Sequence, residues 1–329
     1  MCLVLLLVVG WSAFWFFART RAEAEMMALA NAPSGSPVRL TCGQRDIGGF
    51  PFELVLTCRD PAFAVAGDSG PVDIRFPQLS AKASLFAPQT VEVDLAGPLT
   101  AIDARGRTNS TWTTMHLDIV GLSRDVRRVA VHGTGLNLSC SGCYEALRSS
   151  QVGTFDVSFE QRGDTRDYAF AVSASALQNA LLAALTGTDE PAIFAANGTV
   201  TQFDWPRSLR LAAEAERWRA AGGSLTVERA SLDQGAMHTQ VAGTFALDPF
   251  HRSSGTFQFG ARNAAALVSV FTRSLSPLLQ LAIGAALRGI DSATAQSGEK
   301  LDVSLPGRID NGSVSLGPLR GISSVAPLY

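Results

Sequence analysis

From Val38 onward the apolar positions recur mainly with period two. Phe52, Leu54, Leu56 and Cys58 share one side, with Glu53 and Thr57 on the other. Val91, Val93 and Leu95 alternate with Glu92 and Asp94, and Met115, Leu117 and Ile119 with His116 and Asp118. The same rhythm returns at Phe155, Val157 and Phe159, at Val241, Gly243, Phe245 and Leu247, at Leu301, Val303 and Leu305, and at Val314 and Leu316. Alternation of this kind predicts strands with one dry and one wet face, as in antiparallel sheet. Turn residues punctuate the runs at Gly48-Gly49, Gly97-Pro98, Asp233 to Gly235, Asp248-Pro249 and Asn311-Gly312. The expected fold is mainly β, a β-rich α+β chain. Antiparallel, strongly curved sheets would form a groove or open barrel with a few covering helices. Residues 38–190 and 191–329 read as two β-rich halves.

Three stretches carry helical spacing instead. Ala174 to Leu185 places Leu177, Leu181, Leu182 and Leu185 on one side and stops before Gly187. Arg207 to Ala221 carries Leu209, Leu211 and Trp218 and ends at Gly222-Gly223. Asn263 to Ile290 is long and apolar, but Arg273, Pro277 and Arg288 make it a poor membrane span. It reads as core packing or as a helical lid over a lipid-binding groove.

Cys2 to Ala18 is almost uninterruptedly apolar, and Trp11, Phe14, Trp15, Phe16 and Phe17 gather at its end. Such a run suits a membrane helix with an aromatic belt at the headgroup level. Residues 1–20 therefore read as a membrane anchor or uncleaved signal and 21–37 as a helical linker. Only Arg19 and Arg21 flank the run, on its C-terminal side, which by charge alone keeps the remainder cytoplasmic. A basic leader missing before Met1 would remove that objection.

The cysteines argue for an oxidising compartment. Outside the apolar run there are four: Cys42, Cys58, Cys140 and Cys143. Cys42 and Cys58 sit symmetrically about Phe50, so a hairpin centred there sets them opposite each other, close enough for a disulfide. Cys140 to Cys143 is a C-x-x-C, either a redox pair or a small structural disulfide loop. Its neighbours look like antiparallel strands rather than the βαβ unit a redox motif needs. With the apolar run, the cysteines suggest a single N-terminal span and a bulk that lies outside the cytoplasm.

Composition excludes more than it assigns. The chain of 329 residues is 47% hydrophobic and 17% charged, with a formal net charge of −2. That is not a disordered chain, and it lacks the basic footprint of a nucleic-acid binder. The four histidines, His116, His132, His238 and His251, are scattered. No His-x-x-x-His pair, Gly-x-Ser-x-Gly elbow or phosphate loop occurs. No catalytic, cofactor-binding or metal residue is nominated, no cofactor is expected, and the chain reads as a non-enzyme.

Gly48-Gly49-Phe50-Pro51-Phe52, bracketed by Cys42 and Cys58, is the most distinctive element. With the stretches Trp218 to Glu228, Gly243 to Asp248 and Arg308 to Pro318, it resembles the alphaproteobacterial domain of unknown function 2125 family of envelope proteins. The style of the repeats is also distantly similar to AsmA-type envelope proteins. These resemblances imply a location in the bacterial inner membrane, with a single N-terminal span and the bulk in the periplasm, and a periplasmic β-sheet handling lipid, with inner-membrane lipids, a phospholipid ligand and other envelope proteins as partners. The expectation is a non-enzymatic protein binding or transferring a lipid or another hydrophobic ligand. The alternative is an envelope scaffold or assembly protein with a filled core. Read physically, the two glycines permit a turn and Pro51 belongs at a strand start or edge, a structural turn motif.

Overall fold

The structure is a computed structural model that describes residues 2–33, 36–121, 126–142, 148–206, 208–262, 303–317 and 319–329. The protein is mainly β, with 59% of the described residues in strand, in one large antiparallel sheet. Twenty strands and three helices occur among the described residues. The chain divides into two compact units. One holds residues 1–148, 158–160 and 205–214, the other 149–157, 161–204 and 215–329.

The first unit starts with helix α1 (Cys2–Ala30). Ten short strands follow: β1 (Val38–Thr41), β2 (Gln44–Gly48), β3 (Glu53–Arg59), β4 (Ala62–Gly67), β5 (Gly70–Arg75), β6 (Gln78–Ser84), β7 (Ala87–Ala96), β8 (Leu99–Asp103), β9 (Gly106–Thr111) and β10 (Thr114–Val120). They are the halves of five long strands. β1 pairs with β4 and β2 with β3 in one continuous register, from Val38↔Val65 to Gly48↔Val55. β3–β4 pair likewise with β6 and β5, from Glu53↔Ser84 to Gly67↔Gly70. β11 (Arg128–Cys140) pairs with both halves of its neighbour, through Thr114↔Thr134 and Asn137↔Thr111.

The interruptions therefore lie side by side. Cys42-Gly43, Asp60-Pro61, Phe76-Pro77, Gly97-Pro98 and Trp112-Thr113 form a seam across the five long strands. Pro61, Pro77 and Pro98 have no N–H to give to a ladder, so pairing stops at each. Asp60 adopts a left-handed φ of 51°. Trp112 fills the seam at Gly97. Its indole N–H donates to the Leu95 carbonyl at 2.8 Å, and a Cβ on Gly97 would lie 3.2 Å from the ring. The seam ends in β11 at Gly135, φ 63°, where an added Cβ would meet Thr113 Oγ1 at 2.5 Å. Pro61 and Cys58 are the largest fully buried side chains, so the tightest packing follows this line.

The second unit is also a meander. After β12 (Ser149–Gln161) come β13 (Tyr168–Asn179), helix α2 (Ala180–Thr186) and β14 (Ala192–Val200). Helix α3 (Leu211–Ala220) follows, then β15 (Leu225–Gln234), β16 (Met237–Leu247), β17 (Ser253–Arg262), β18 (Val303–Asp310), β19 (Ser313–Leu316) and β20 (Leu319–Ser324). Phe170, Gly198, Val227, Gly243, Phe257, Gly307 and Leu316 stand opposite one another in successive strands. Large and small alternate, and the Phe170 and Phe257 rings lie over Gly198 and Gly307. A Cβ on Gly198 would come within 2.9 Å of Phe170, and one on Gly243 or Gly307 within 2.6 or 2.2 Å of Phe257. The far end of the row borders an open cleft lined by Gly243, Phe257, Pro306, Gly307 and Ser315.

Three expectations need correction. The helix expected over 174–185 is only Ala180–Thr186, capped by Asn179 Oδ1 accepting from the Leu182 N–H and closed by Gly187 in αL. Residues 168–179 extend as strand because Ala174 and Leu177 pair with Phe194 and Ala192, and ladder pairing outweighs the helical spacing of the leucines. The helix expected from Arg207 starts at Leu211, while its Gly222 stop is in place at φ 73°. The apolar stretch 263–290 lies outside the described residues.

The third correction concerns location. Among the described residues no helix is long and apolar enough to cross a membrane, so a single N-terminal span with the bulk in the periplasm is not supported. Two of the aromatic residues read as a headgroup belt, Trp11 and Trp15, have partners in the 50–53 turn, whereas Phe14, Phe16 and Phe17 are exposed. Trp11 and Trp15 donate their indole N–H groups to the Pro51 and Glu53 carbonyls, both at 2.8 Å. Trp15 is 3% exposed.

Candidate functional site: an apolar sheet face and an aromatic tip

On one side of the seam, β2, β3, β6, β7, β10 and the first part of β11 form a panel with two aligned apolar rows. Ile47, Leu56, Ala81, Val93, Leu117 and Val131 are cross-strand neighbours in one row. Leu54, Ala83, Val91, Ile119 and Val129 form the next. Ile47 is buried, but every other member is only half-buried. No glycine interrupts these rows, so the face is neither filled by rings nor fully covered. Six strands at a spacing of ~4.8 Å give it a width of about 24 Å.

The opposite face of the panel is charged. Lys82 Nζ lies 3.3 Å from Glu53 and 3.7 Å from Glu92. His116 Nδ1 is 2.8 Å from Asp94 and its Nε2 3.3 Å from Asp118. The hydrogen bond with Asp94 raises the His116 pKa above its usual 6.5; burial opposes this and the Asp118 charge adds to it. Lys82 is likewise raised, chiefly by its hydrogen bond to Glu53. These pairs are cross-strand neighbours on a wet surface and converge on no cleft.

The free end of the panel is an aromatic tip. Gly49, at φ 96°, closes the 49–52 turn, where the Glu53 N–H donates to the Gly49 carbonyl at 3.0 Å. A Cβ on Gly49 would sit 2.7 Å from the Glu53 carbonyl oxygen, which is why glycine is required. The Phe50–Pro51 peptide is cis. The neighbouring turn brings Phe86 alongside. Trp11 stacks on Phe86 at 5.4 Å and lies 6.1 Å from Phe52, while Trp15 meets Phe50 edge-on at 5.5 Å. Phe50, Phe52 and Phe86 remain 54%, 54% and 71% exposed.

The Cys42–Cys58 disulfide is present, with Cα atoms 5.5 Å apart. Its register differs from the expectation of directly opposed residues. Cys58 faces Arg45, and Cys42 sits in the seam. The hairpin is centred beyond Phe50 because the turn closes from Gly49 to Glu53. Cys140 is disulfide-bonded, and Cys143 lies outside the described residues. Gly48 ends β2 with no atom within 4 Å of an added Cβ.

Two further polar groupings occur in the second unit. His238 Nδ1 contacts Asp233 across the β15–β16 hairpin. Around the chain end, Tyr329 stacks on His251 at 4.4 Å and donates its hydroxyl to Glu216 at 2.9 Å. Arg219 bonds the same carboxylate twice at 2.7 Å. Those bonds, Arg219 first and Tyr329 second, bring the Glu216 pKa down to about 2. The grouping tethers the C-terminal segment. Among the described residues no group of three or more His, Cys, Asp or Glu side chains is placed to hold a metal.

A family model described as an uncharacterized protein conserved in bacteria, DUF2125, matches residues 15–322. The chain belongs to the DUF2125 family. No curated protein matches it. The match begins at Trp15, the buried indole that holds α1 to the tip, and takes in both units. Sequence reasoning found the GGFPF element but missed Phe86 and the indole bonds. Their only signal was aromatic richness in two segments far apart in the chain.

Proposed function

We propose that this DUF2125 protein is a non-enzymatic binder of an apolar ligand, a lipid acyl chain, carried on the half-covered face of its first unit. One observation carries the reading: two apolar rows in register across five and six strands, with every side chain but Ile47 left half-buried. Apolar surface in that state gains ~25 cal/mol per Å² when it is covered, and an acyl chain gains up to ~0.8 kcal/mol per buried methylene. The distant AsmA-type likeness agrees with a role in lipid handling in the cell envelope, by analogy of fold style alone.

The test is native mass spectrometry with organic extraction on the full chain. A stoichiometric phospholipid is expected. Leu56→Asp places a carboxylate on β3 within the wider row. It displaces about four methylenes, which at half coverage is ~1.5 kcal/mol or about tenfold in retention. Ser80→Asp, on the charged face, leaves retention unchanged. A clean apo mass with no uptake of offered lipid refutes the reading and favours a scaffold.

A further inference from the structure

We propose that a cleft beside β4 of the first unit is a binding site for a phosphate group. It lies across the seam from the apolar rows, so it stands whether or not they hold an acyl chain. The cleft has a volume of about 390 Å³, with Ala64, Ala66 and Pro71 in its floor and Ser36, Arg39 and Arg210 around them. Two separate segments bring the arginines there. On β1, Arg39 is the register partner of Ala64. Its Nη2 donates to the Ala32 carbonyl at 2.8 Å, which fixes the guanidinium and leaves its other N–H groups for a ligand. Arg210 arrives by another route. The Leu209 N–H donates to the Ala66 carbonyl at 2.8 Å and Leu209 bridges Gly67 in parallel, which extends the edge of β4 before β1 begins. Successive extended residues alternate sides, so Arg210 falls on the side of Ala66 and Arg39 rather than that of Gly67.

Charge identifies the occupant. Cross-strand partners share a side of the sheet. On this side Arg39, Ala64, Asp73, Ile102 and Arg107 stand in one row, and Arg75 stands beside Asp73 in the next. Among the described residues, Asp73 is the one carboxylate these strands place there, and none of Arg39, Arg75, Arg107 and Arg210 makes an ion pair. Asp68, in the β4–β5 turn, is turned to α3, with both carboxylate oxygens 3.4 Å from the Ala212 N–H. The charged face of the tip-side panel differs, since Lys82 and His116 there each sit between two carboxylates. Two guanidinium groups in one recess repel each other, and an anion between them removes the repulsion. Each guanidinium fork matches a pair of phosphate oxygens, and the Ser36 hydroxyl adds a third donor. Three donor groups suit the three terminal oxygens of a phosphate better than the two of a carboxylate. A phosphate fills only part of the cleft, so the ligand is a larger molecule whose remainder meets Ala64, Ala66 and Pro71.

The experiment is isothermal titration of the full chain at low salt. The probes are inorganic phosphate, glycerol 3-phosphate and dihexanoylphosphatidylglycerol below its micellar concentration. Saturable binding of one equivalent is expected. Arg210→Gln is expected to weaken it about tenfold, the loss of one charge-assisted contact, and Arg39→Gln by at least as much. Arg45→Gln, on β2 across the seam, removes the same charge and is expected to change the affinity by less than about twofold. Because Arg39 also holds the Ala32 carbonyl, Arg210→Gln is the deciding variant; among the described residues its guanidinium has no partner to lose. Tighter binding of glycerol 3-phosphate identifies a small phosphorylated compound, and tighter binding of the short-chain lipid a lipid headgroup; both uphold the proposal. No saturable binding of any of the three probes overturns it. So does an equal loss in Arg45→Gln, which is a general charge effect. Lipid binding that survives Arg210→Gln unchanged belongs to the apolar rows, and overturns this proposal while leaving the acyl-chain reading intact.

Discussion

Removing the Cys42–Cys58 crosslink tests how the first hairpin is held. The bridge spans 16 residues and joins the seam to the buried face of β3. The chain-entropy relation, −2.1 − 1.5R ln n cal/mol/K, gives ~3 kcal/mol at 25 °C for a loop of that length. Cys58 has no exposed surface, and truncating it to alanine adds ~1 kcal/mol for the void. Residual compaction of the unfolded hairpin reduces the first figure, so a loss of ~3 kcal/mol is expected for Cys42→Ala/Cys58→Ala.

Native-state hydrogen exchange is the suitable assay because it reads opening segment by segment. The variant is preferable to a reductant, since Cys140 is also disulfide-bonded and would be reduced with it. The Gly43 N–H, donated to the Arg59 carbonyl, and the Glu53 N–H, donated to the Gly49 carbonyl, should exchange about a hundredfold faster. Amides of the β14–β16 ladders in the second unit should keep their rates. Unchanged exchange at Gly43 and Glu53 would refute the reasoning, because the ladder alone would then hold the hairpin. Equal acceleration in both units would refute it too, by showing a global rather than a local effect.

Two further outcomes follow from packing and charge. His116 should titrate above 6.5, and Asp94→Asn should lower its value, as followed by the imidazole proton resonance. Because the folded value is raised, its contribution to stability is complete below pH 6.5 and fades as pH rises through the folded pKa; titration at or below 6.5 would contradict the Asp94 contact. Gly307→Val should cost ~1–3 kcal/mol by forcing Phe257 off its seat, whereas Gly48→Ala, which meets nothing within 4 Å, should stay within ~1 kcal/mol in thermal denaturation.

What the sequence disclosed was local. Alternation at Val91 to Leu95 and Met115 to Ile119 identified the strands and their dry side, since a period of two needs no knowledge of partners. The disulfide was legible from two cysteines around a turn, but its register was not. The turn closes from Gly49 to Glu53, and that depends on a backbone bond rather than on symmetry about Phe50. The leucines of 174–185 kept helical spacing while the chain followed the ladder at Ala174 and Leu177. The aromatic residues of α1 were noticed for their chemistry and placed wrongly. Trp11 reaches Pro51 forty positions away, and no local pattern encodes that contact. The seam shows the same limit. Pro61, Pro77 and Pro98 each read as an isolated turn signal, and only the pairing registers align them.

That alignment gives the first unit a polarity. Both apolar rows lie on the tip side of the seam, and so do the turns that carry Phe50, Phe52 and Phe86. Along β3 the dry side runs from Phe52 at the tip through Leu54 and Leu56 to Cys58, a distance of about 20 Å by strand rise. At Cys58 packing becomes complete, and Asp60-Pro61 ends the ladder. A chain entering beside Phe52 would therefore meet half-covered apolar side chains for the length of the panel and a closed, buried wall at its end. The strand direction, not the row direction, offers a path with one open and one blocked end. On the proposed reading an acyl chain lies along β3 with its polar group at the aromatic tip. Blocking the wall end, by Leu79→Trp beside Cys58, should then shorten the longest chain retained without abolishing binding, whereas a ligand lying across the strands would be lost through Leu117→Asp and left untouched by Leu79→Trp.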